Sequence, residues 1–300
     1  MDTTSSSLRF SLIVPTIGRV KEIERLFHSL VAQTYQNFEV IVVDQSGGDD
    51  LNDLVAHFSG LFPLRHLRLE TRGASRARNA GLPLTTGDII AWPDDDCFYP
   101  PDLLAKVQEV FTQCLDWEGL IGNSVDEKGI VHDRRHIPRQ RRLSRVDLLR
   151  VGVEYCLFLR KTIIDQVGGF SDLFGPGAGT NWWAGEAAEY ELRLLRSGSS
   201  LGFSPELRVH HPNQGVFEFS PEAIRKTYYY AQGMGAAIRK NQQGKGGTPS
   251  WFIGYYSLLY LRAALFSLLR GHSRQARLHL LRLTGVFIGW WTYRNVRGEF

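Results

Sequence analysis

The chain is poor in cysteine. Its 300 residues contain three, Cys97, Cys114 and Cys156, and their spacing matches no zinc-ligand pattern. A sparse and odd set of cysteines argues against a disulfide framework and indicates a reducing compartment. The first residues, from Met1 to Ser7, are polar and lack the basic segment and apolar core of a signal peptide. These absences predict a cytoplasmic protein.

Acidic residues are missing from a long C-terminal stretch. Between Ala223 and Gly298 there are twelve lysines or arginines and no aspartate or glutamate. With Glu299, residues 223–300 carry a charge of +11, which leaves −7 on residues 1–222 because the whole chain carries +4. This asymmetry predicts contact with an anionic surface, either nucleic acid or a membrane.

The same stretch is rich in apolar residues, which favours a membrane over a nucleic acid. Residues Trp251 to Leu269 form an apolar run of 19 residues that only Arg262 interrupts. The run is long enough to span a bilayer, but a central arginine costs ~2.5–3.5 kcal/mol on insertion scales. The next segment, Ser273 to Trp291, has the mixed composition of an interfacial amphipathic helix. We expect the tail to lie on a membrane surface, in preference to spanning the membrane or packing on the rest of the protein.

Two nucleotide-binding motifs are also missing. Apolar runs from Phe10 to Val14 and from Glu39 to Val43, separated by a helical pattern from Ile23 to Val31, predict a βαβ unit and a parallel sheet. The turn after the first strand has no G-x-G-x-x-G fingerprint, and no P-loop occurs. A bound phosphate would therefore be neutralised by a metal ion and by a cationic side chain, either Arg76 or Arg78.

Three consecutive carboxylates, Asp94, Asp95 and Asp96, follow a short apolar strand pattern. Because like charges repel one another and resist burial, this placement needs a physical reason. A hard divalent cation, Mg²⁺ or Mn²⁺, takes carboxylate oxygens and supplies that reason, whereas the alternative is a solvated acidic turn. Ligands bind at the carboxyl ends of strands in open α/β sheets, so the position favours a metal site.

Seven short segments, each a weak signal alone, stand in a consistent order along roughly residues 10–215. They are Val14-Pro15-Thr16, the strand that ends at Asp44, Arg76 to Gly81, Pro93 to Cys97, Gly168-Gly169-Phe170, Gly185-Glu186 with Glu189, and His210-His211-Pro212. Together they resemble glycosyltransferase family 2. The resemblance implies an α/β GT-A fold in residues 1–219, Rossmann-like, with a mostly parallel sheet flanked by helices. The composition of residues 220–300 predicts a basic, aromatic-rich, helical extension that associates with a membrane.

The resemblance also implies a nucleotide-sugar donor, a divalent cation (Mg²⁺ or Mn²⁺) and inversion at the anomeric carbon. It makes Asp96 the expected direct metal ligand in the D-x-D motif, together with Asp94. His211, or alternatively His210, would reach the metal or the diphosphate from the last strand. The alternative for this His pair is a hydrogen-bonded strand end without a ligand role. The expected contacts of the donor nucleotide are Pro15, Thr16, Asp44, Arg76, Asn79, Asp94 and Asp95.

An inverting transfer needs one general base, which takes the proton of the acceptor hydroxyl. The family usually supplies it from a Glu-Asp pair ahead of a helix. Here Glu186 stands in place, but Ala187 occupies the aspartate position. Glu189 lies three residues on and shares a helix face with Glu186. The predicted base is Glu186 or Glu189, and the alternative is that both carboxylates serve the helix dipole.

The resulting hypothesis is a hexosyltransferase-type enzyme, peripheral on the cytoplasmic face of a membrane. It would move a sugar to a hydroxyl of a glycan or lipid-linked acceptor in the synthesis of a cell-surface polysaccharide or glycolipid. The alternative, favoured by Ala187, is a catalytically impaired GT-A module that acts as a membrane-associated binding or scaffold subunit. No nucleic-acid partner is expected, because the apolar content of residues 251–269 fits lipid better than phosphate backbone.

Overall fold

The computed structural model describes residues 7–131, 137–212, 219–243 and 246–294. Lys245 and Arg297, which were counted in the basic tail, lie outside the described residues. The chain divides into two compact units. Unit 1 comprises Met1–Arg72, Arg76–Gly169 and Ser199–Asn213, and unit 2 comprises Gly73–Ser75, Phe170–Gly198 and Gln214–Phe300.

Unit 1 is built on an eight-stranded sheet with the strand order β3-β2-β1-β4-β7-β5-β8-β6. The strands are β1 (Phe10–Thr16), β2 (Phe38–Asp44), β3 (Leu64–Arg68), β4 (Ile89–Ala91), β5 (Gly119–Val125), β6 (Arg141–Arg142), β7 (Leu157–Arg160) and β8 (Leu201–His210). The predicted parallel arrangement is confirmed for β3-β2-β1-β4 and for the β5-β8 pair. Strands β7 and β6 run antiparallel to their neighbours, so the sheet is mixed.

Strands β1 and β2 form the centre of the parallel part because their apolar runs are buried on both faces. The helices that belong wholly to unit 1 are α1 (Val20–Val31), α2 (Asn52–Ser59), α4 (Leu103–Gln113), α5 (Arg145–Val151) and α6 (Lys161–Val167), while α3 (Ala74–Gly81) begins in unit 2 and continues in unit 1. Helix α1 buries Ile23, Leu26, Phe27 and Leu30, which is the predicted apolar stripe without Val31, a residue that is exposed.

Unit 2 is helical and contains α7 (Glu186–Arg196), α8 (Pro221–Lys240), α9 (Trp251–Leu269) and α10 (Ser273–Tyr293). Its buried cluster joins Phe174 and Trp182 from the loop before α7 to residues of the C-terminal helices. Helices α8 and α10 approach each other closely because Gly235 and Gly289, at the point where the helices cross, have no side chain. A Cβ atom on Gly289 would lie 1.9 Å from the carbonyl oxygen of Gln232, and one on Gly235 would lie 2.0 Å from that of Val286.

Helix α9 is the apolar helix that the sequence predicts. Among the described residues it alone combines the length and apolar composition needed to cross a membrane, with a mean hydropathy of 1.4. An apolar helix in the interior of a globular protein would be mostly buried, whereas only 28% of the apolar window of α9 is buried. Its exposed large side chains are Trp251, Tyr255, Leu258, Leu259, Leu261, Leu265, Phe266, Leu268 and Leu269.

Candidate active site

In unit 1, the carboxyl ends of the parallel strands bring the predicted donor-site residues together. Thr16 closes β1 and is paired in register with Asp44, which closes β2. The acidic triplet follows β4, the other neighbour of β1, and Thr16 Oγ1 donates a 2.7 Å hydrogen bond to Asp95 Oδ2. The placement agrees with the general rule that ligands bind at this edge of an α/β sheet.

The structure also brings together the three predicted metal ligands. Ligand atoms of Asp94, Asp96 and His211 all lie within 4.8 Å of one another. His211 follows β8, and its ring stacks on the Tyr155 ring at 4.6 Å and 10°. The alternative ligand, His210, is engaged elsewhere, because its Nδ1 lies 2.9 Å from the carbonyl oxygen of Asp126.

The cluster suits a divalent cation. Two carboxylates and an imidazole form a donor set that Mn²⁺ accepts, and carboxylate oxygen also suits Mg²⁺. The buried Oδ1 atom of Asp96 lies 3.2 Å from His211 Nε2, yet it accepts no hydrogen bond of good geometry among the described residues. A buried carboxylate oxygen in this condition is costly, and a cation would compensate for it. The residues therefore fit a metal ion.

Two arginines balance the triplet. Arg19, on the turn after β1, places Nη1 2.7 Å from Asp95 Oδ1 and Nη2 2.5 Å from Asp96 Oδ2. Arg78 is 2% exposed, and its Nη2 atom lies 2.9 Å from Asp94 Oδ1 and 3.0 Å from a carboxylate oxygen of Glu154. Arg78, one of the two arginines considered as phosphate ligands, thus contacts the triplet.

The pKa values of the cluster reflect burial and the neighbouring charges. Burial raises the pKa of Asp94 and the pKa of Asp95 to about 6. Burial acts in the same direction on Asp96, but the close contact and charge of the His211 imidazole and the charge of Arg19 hold its pKa below the ordinary value. Burial lowers the pKa of His211, and the facing Asp96 and Asp94 carboxylates outweigh that effect and raise it.

The remaining predicted donor residues occupy three places in unit 1. Asp44 accepts hydrogen bonds from the backbone and hydroxyl of Ser46, and its Oδ2 lies 3.1 Å from His66 Nε2. Pro15 is half-buried near the end of β1. The other two, Arg76 and Asn79, are on α3. Arg76 Nη1 donates a hydrogen bond to the carbonyl oxygen of Arg72. The Asn79 side chain lies against Gly169, where an added Cβ atom would be 2.2 Å from Asn79 Oδ1.

Three residues of the cluster were missed by the sequence prediction of site residues: Arg19, Glu154 and Tyr155. Arg19 carried a signal, because it lies on the loop directly after the first strand of the βαβ unit. Glu154 and Tyr155 carried none, since they occupy a 3₁₀ turn ahead of β7 and no local pattern marks them.

Both predicted bases lie in the first turn of α7, in unit 2. Gly185 precedes the helix with a φ of 95°, and Glu186 is 6% exposed. A Cβ on Gly175 would lie 3.0 Å from the carboxylate carbon of Glu186, so glycine leaves room for that carboxylate. Glu189 is fully buried, and its carboxylate accepts hydrogen bonds from Arg193 Nε and Nη2 at 2.9 and 3.2 Å.

Sequence comparison gives relatives that cover part of the chain. The chain is 38% identical over 104 residues to an uncharacterized glycosyltransferase of Haemophilus influenzae, a match that spans 34% of each protein. It is 24% identical over 232 residues to glycosyltransferase AglE of Haloferax volcanii, covering 74% of this chain and 73% of AglE. The chain therefore spans about a third of the first relative and about three quarters of the second.

Structure comparison identifies the fold. Residues 1–349 of TarS from S. aureus match with a TM-score of 0.62 at 15% identity, covering 96% of this chain and 91% of that one. The mannosyltransferase PcManGT from Pyrobaculum calidifontis, solved in complex with GDP-Man and Mn²⁺, matches with a TM-score of 0.64 at 15% identity, covering 95% and 88%. These similarities confirm the GT-A fold. The model of glycosyl transferase family 2 matches residues 11–167, just over half of the 300 residues, and the chain belongs to that family.

Proposed function

We propose that the protein is a metal-dependent, inverting glycosyltransferase that uses a nucleotide-sugar donor. The observation that carries the proposal is the cluster of Asp94, Asp96 and His211 at the carboxyl end of the sheet. The neighbours support the ligand class, because PcManGT was solved with GDP-Man and Mn²⁺ and TarS with UDP-GlcNAc.

Asp94, Asp96 and His211 would hold the cation, Mg²⁺ or Mn²⁺. When bound, such a cation supplies Lewis-acid stabilisation for the negative charge that builds on the departing diphosphate. The Arg19 side chain is 43% exposed, and its guanidinium beside Asp95 and Asp96 can also meet a phosphate. Arg78 is buried on the inner side of the cluster and orients Asp94.

We assign the general base to Glu186. In the inverting reaction the acceptor oxygen forms a bond to the anomeric carbon, the bond to the diphosphate breaks on the opposite face, and the base takes the hydroxyl proton. Glu189 is poorly suited to this role, because Arg193 and Lys240 already engage its fully buried carboxylate. Glu186 lies at the start of α7, where Gly175 leaves room for its carboxylate.

The acceptor is proposed to be a glycan or a lipid-linked sugar of a cell-surface polysaccharide or glycolipid, reached at the cytoplasmic face of a membrane. Support comes from the apolar surface of α9 together with the acid-free, arginine-rich sequence around it. Apolar side chains beside cationic ones are the features of a peripheral membrane-binding helix.

Calorimetric titration of the purified chain with UDP, GDP and dTDP, with and without Mn²⁺, tests the proposal. We expect Mn²⁺-dependent binding of one nucleotide, lost in Asp96→Ala and kept in the control Asp165→Ala, which replaces a side chain on α6 that is 62% exposed. The anomeric configuration of the transferred sugar, read by NMR, tests inversion. Binding that is independent of the metal, or unchanged in Asp96→Ala, contradicts the assigned site.

The second candidate function is that of a catalytically impaired binding or scaffold subunit. It is favoured by Ala187, which stands where the family has the aspartate of its Glu-Asp pair. Metal-dependent nucleotide binding without transfer or donor hydrolysis would support this alternative. Turnover that Glu186→Gln abolishes and Glu189→Gln does not would exclude it and would confirm the base.

A further inference from the structure

Unit 2 contains an open cleft that the proposed donor chemistry does not use. Its volume is about 560 Å³, within the range of ~300–1,000 Å³ that is usual for small-ligand sites. One wall is the loop before α7 and the other is the first half of α8. The lining residues are Pro176, Gly177, Ala178, Gly179, Thr180, Trp183, Glu222, Lys226 and Tyr230.

The α8 wall presents one stripe of side chains. Glu222, Lys226 and Tyr230 follow one another at intervals of four residues, so they lie on the same face of the helix. All three are exposed, and Lys226 Nζ lies 5.2 Å from the centre of the Tyr230 ring. The stripe therefore combines a carboxylate, an ammonium group and an aromatic ring.

The opposite wall is anchored by Trp183, which is held in a fixed orientation. Its ring stacks on the Tyr229 ring with centroids 4.5 Å apart and an angle of 19°. The guanidinium of Arg225 lies 5.1 Å from the centre of the same ring. An aromatic side chain that is held this way is a preorganised apolar surface, since little conformational entropy is lost when a ligand binds.

The cleft shares its loop with the proposed base. Gly175, the residue before the lining segment, lies against the Glu186 carboxylate, and Trp183 precedes Glu186 by three residues. The base must meet the acceptor hydroxyl, whereas the proposed donor contacts Asp44, Asp94 and Asp95 all belong to unit 1. Within unit 2, the residue that precedes the cleft-lining segment thus lies against the carboxylate that serves the acceptor.

We propose that this cleft binds a pyranose ring of the acceptor glycan. Such a ring has an apolar face of C–H groups, which suits Trp183 and Tyr230, and a rim of hydroxyls. The Glu222 carboxylate accepts hydrogen bonds from two neighbouring hydroxyls, while the Lys226 ammonium donates to hydroxyl oxygen. This inference rests on the proposed glycosyltransferase function and names the residues that select its acceptor.

The test is saturation-transfer NMR of the full chain with a panel of methyl glycosides of glucose, galactose, mannose and N-acetylglucosamine and their β-linked disaccharides. We expect at least one probe to bind. Trp183→Ala should weaken that binding by about tenfold, and Trp183→Phe should restore most of it because a ring remains. Glu222→Gln and Lys226→Gln should weaken it by about three- to tenfold. The control is Trp291→Ala, which removes another ring that is 56% exposed in the same unit.

The outcomes separate this inference from the proposed function. Failure of the wild-type chain to bind any nucleotide with Mn²⁺ defeats the proposed function. If nucleotide binding is retained but no glycoside binds, the proposed role of the cleft is overturned and the proposed function is not. The same holds if Trp183→Ala binds the glycoside with the affinity of the wild-type chain. Displacement of the glycoside by the nucleotide-sugar, but not by the nucleotide, would make the cleft a donor-sugar subsite and would also overturn it. Nucleotide binding by Trp183→Ala shows that the variant is folded.

Discussion

At the scale of single residues, the charges of the acidic cluster match a divalent cation. Four carboxylates, those of Asp94, Asp95, Asp96 and Glu154, are in contact with two guanidinium groups. When His211 is neutral, as a metal ligand must be, this leaves two negative charges in excess. Buried like charges are unfavourable unless they are paired, so a cation of charge +2 completes the balance.

This balance predicts how metal binding depends on pH. A proton competes with the metal for each ligand, and the pKa of Asp94 is raised to about 6 while that of His211 lies above its ordinary value. As the pH falls through these values, Mn²⁺ affinity should decrease, by about tenfold for each pH unit per proton that must be released. Calorimetric Mn²⁺ titrations across this range measure the slope, and an affinity that stays flat between about pH 5 and pH 7 would contradict the raised pKa values.

The local sequence predicts only part of this cluster, because some of its residues are brought together by the fold from distant parts of the chain. The triplet directly follows an apolar strand, and His211 directly follows β8, so both are marked by their neighbours in sequence. Arg78 and Glu154 are 76 residues apart and meet through the fold. The burial of an arginine depends on such a distant partner, which no local pattern contains.

At the scale of elements, strands that their own sequence marks are predictable, and strands that depend on distant neighbours are not. Strands β1 and β2 are runs of apolar residues and were expected. Strand β5, with the sequence Gly-Leu-Ile-Gly-Asn-Ser-Val, is fully buried although it contains two glycines and two polar residues. Gly122 is required there because a Cβ would lie 2.7 Å from the carbonyl oxygen of Leu207 on the adjacent β8. The strand is thus specified by its neighbour and not by its own propensity.

Glycine also sets the contact between α8 and α10, which yields a prediction about stability. Gly289→Ala should destabilise the protein by ~1–3 kcal/mol, because the added Cβ must push the two helices apart. The matched control is Gly254→Ala on α9, where no atom lies within 4 Å of the added Cβ. That change should be neutral or stabilising by up to ~1 kcal/mol, since alanine favours the helix.

Urea unfolding followed by far-UV circular dichroism measures both variants under the same conditions. Equal unfolding free energies for Gly289→Ala and Gly254→Ala would show that the α8–α10 crossing tolerates separation. Close packing at the α8–α10 crossing would then contribute little to the stability of unit 2.

At the scale of the whole molecule, packing divides the chain differently from sequence order. A boundary at residue 219 follows the change in composition, from a net negative charge to a basic and aromatic tail. Residues 170–198 nevertheless belong to unit 2 together with the C-terminal helices. The core explains this grouping, because Phe174 and Trp182 pack with Ala236 and Tyr293. Such contacts join segments far apart in sequence, so composition alone does not indicate them.

The exposed surface of α9 predicts membrane binding. In sedimentation with vesicles of phosphatidylcholine and phosphatidylglycerol, the full chain should bind, and more salt should weaken that binding because the arginines near α9 are screened. Leu261 and Leu265 are 50% and 57% exposed. Inserting each leucine contributes ~1.5 kcal/mol or more, so Leu261→Gln with Leu265→Gln should weaken binding by at least about tenfold.

The control for this experiment is Leu115→Gln, which replaces a leucine that is 77% exposed in unit 1 and should leave vesicle binding unchanged. An alkaline carbonate wash of membranes then separates the two modes that the length of α9 permits. Release of the protein indicates a helix that lies in the interface, as expected from Arg262 in the middle of the apolar run. Retention indicates a spanning helix, because alkali removes electrostatic attachment but not buried apolar surface. Equal loss of binding in Leu115→Gln would show that the α9 surface has no special role.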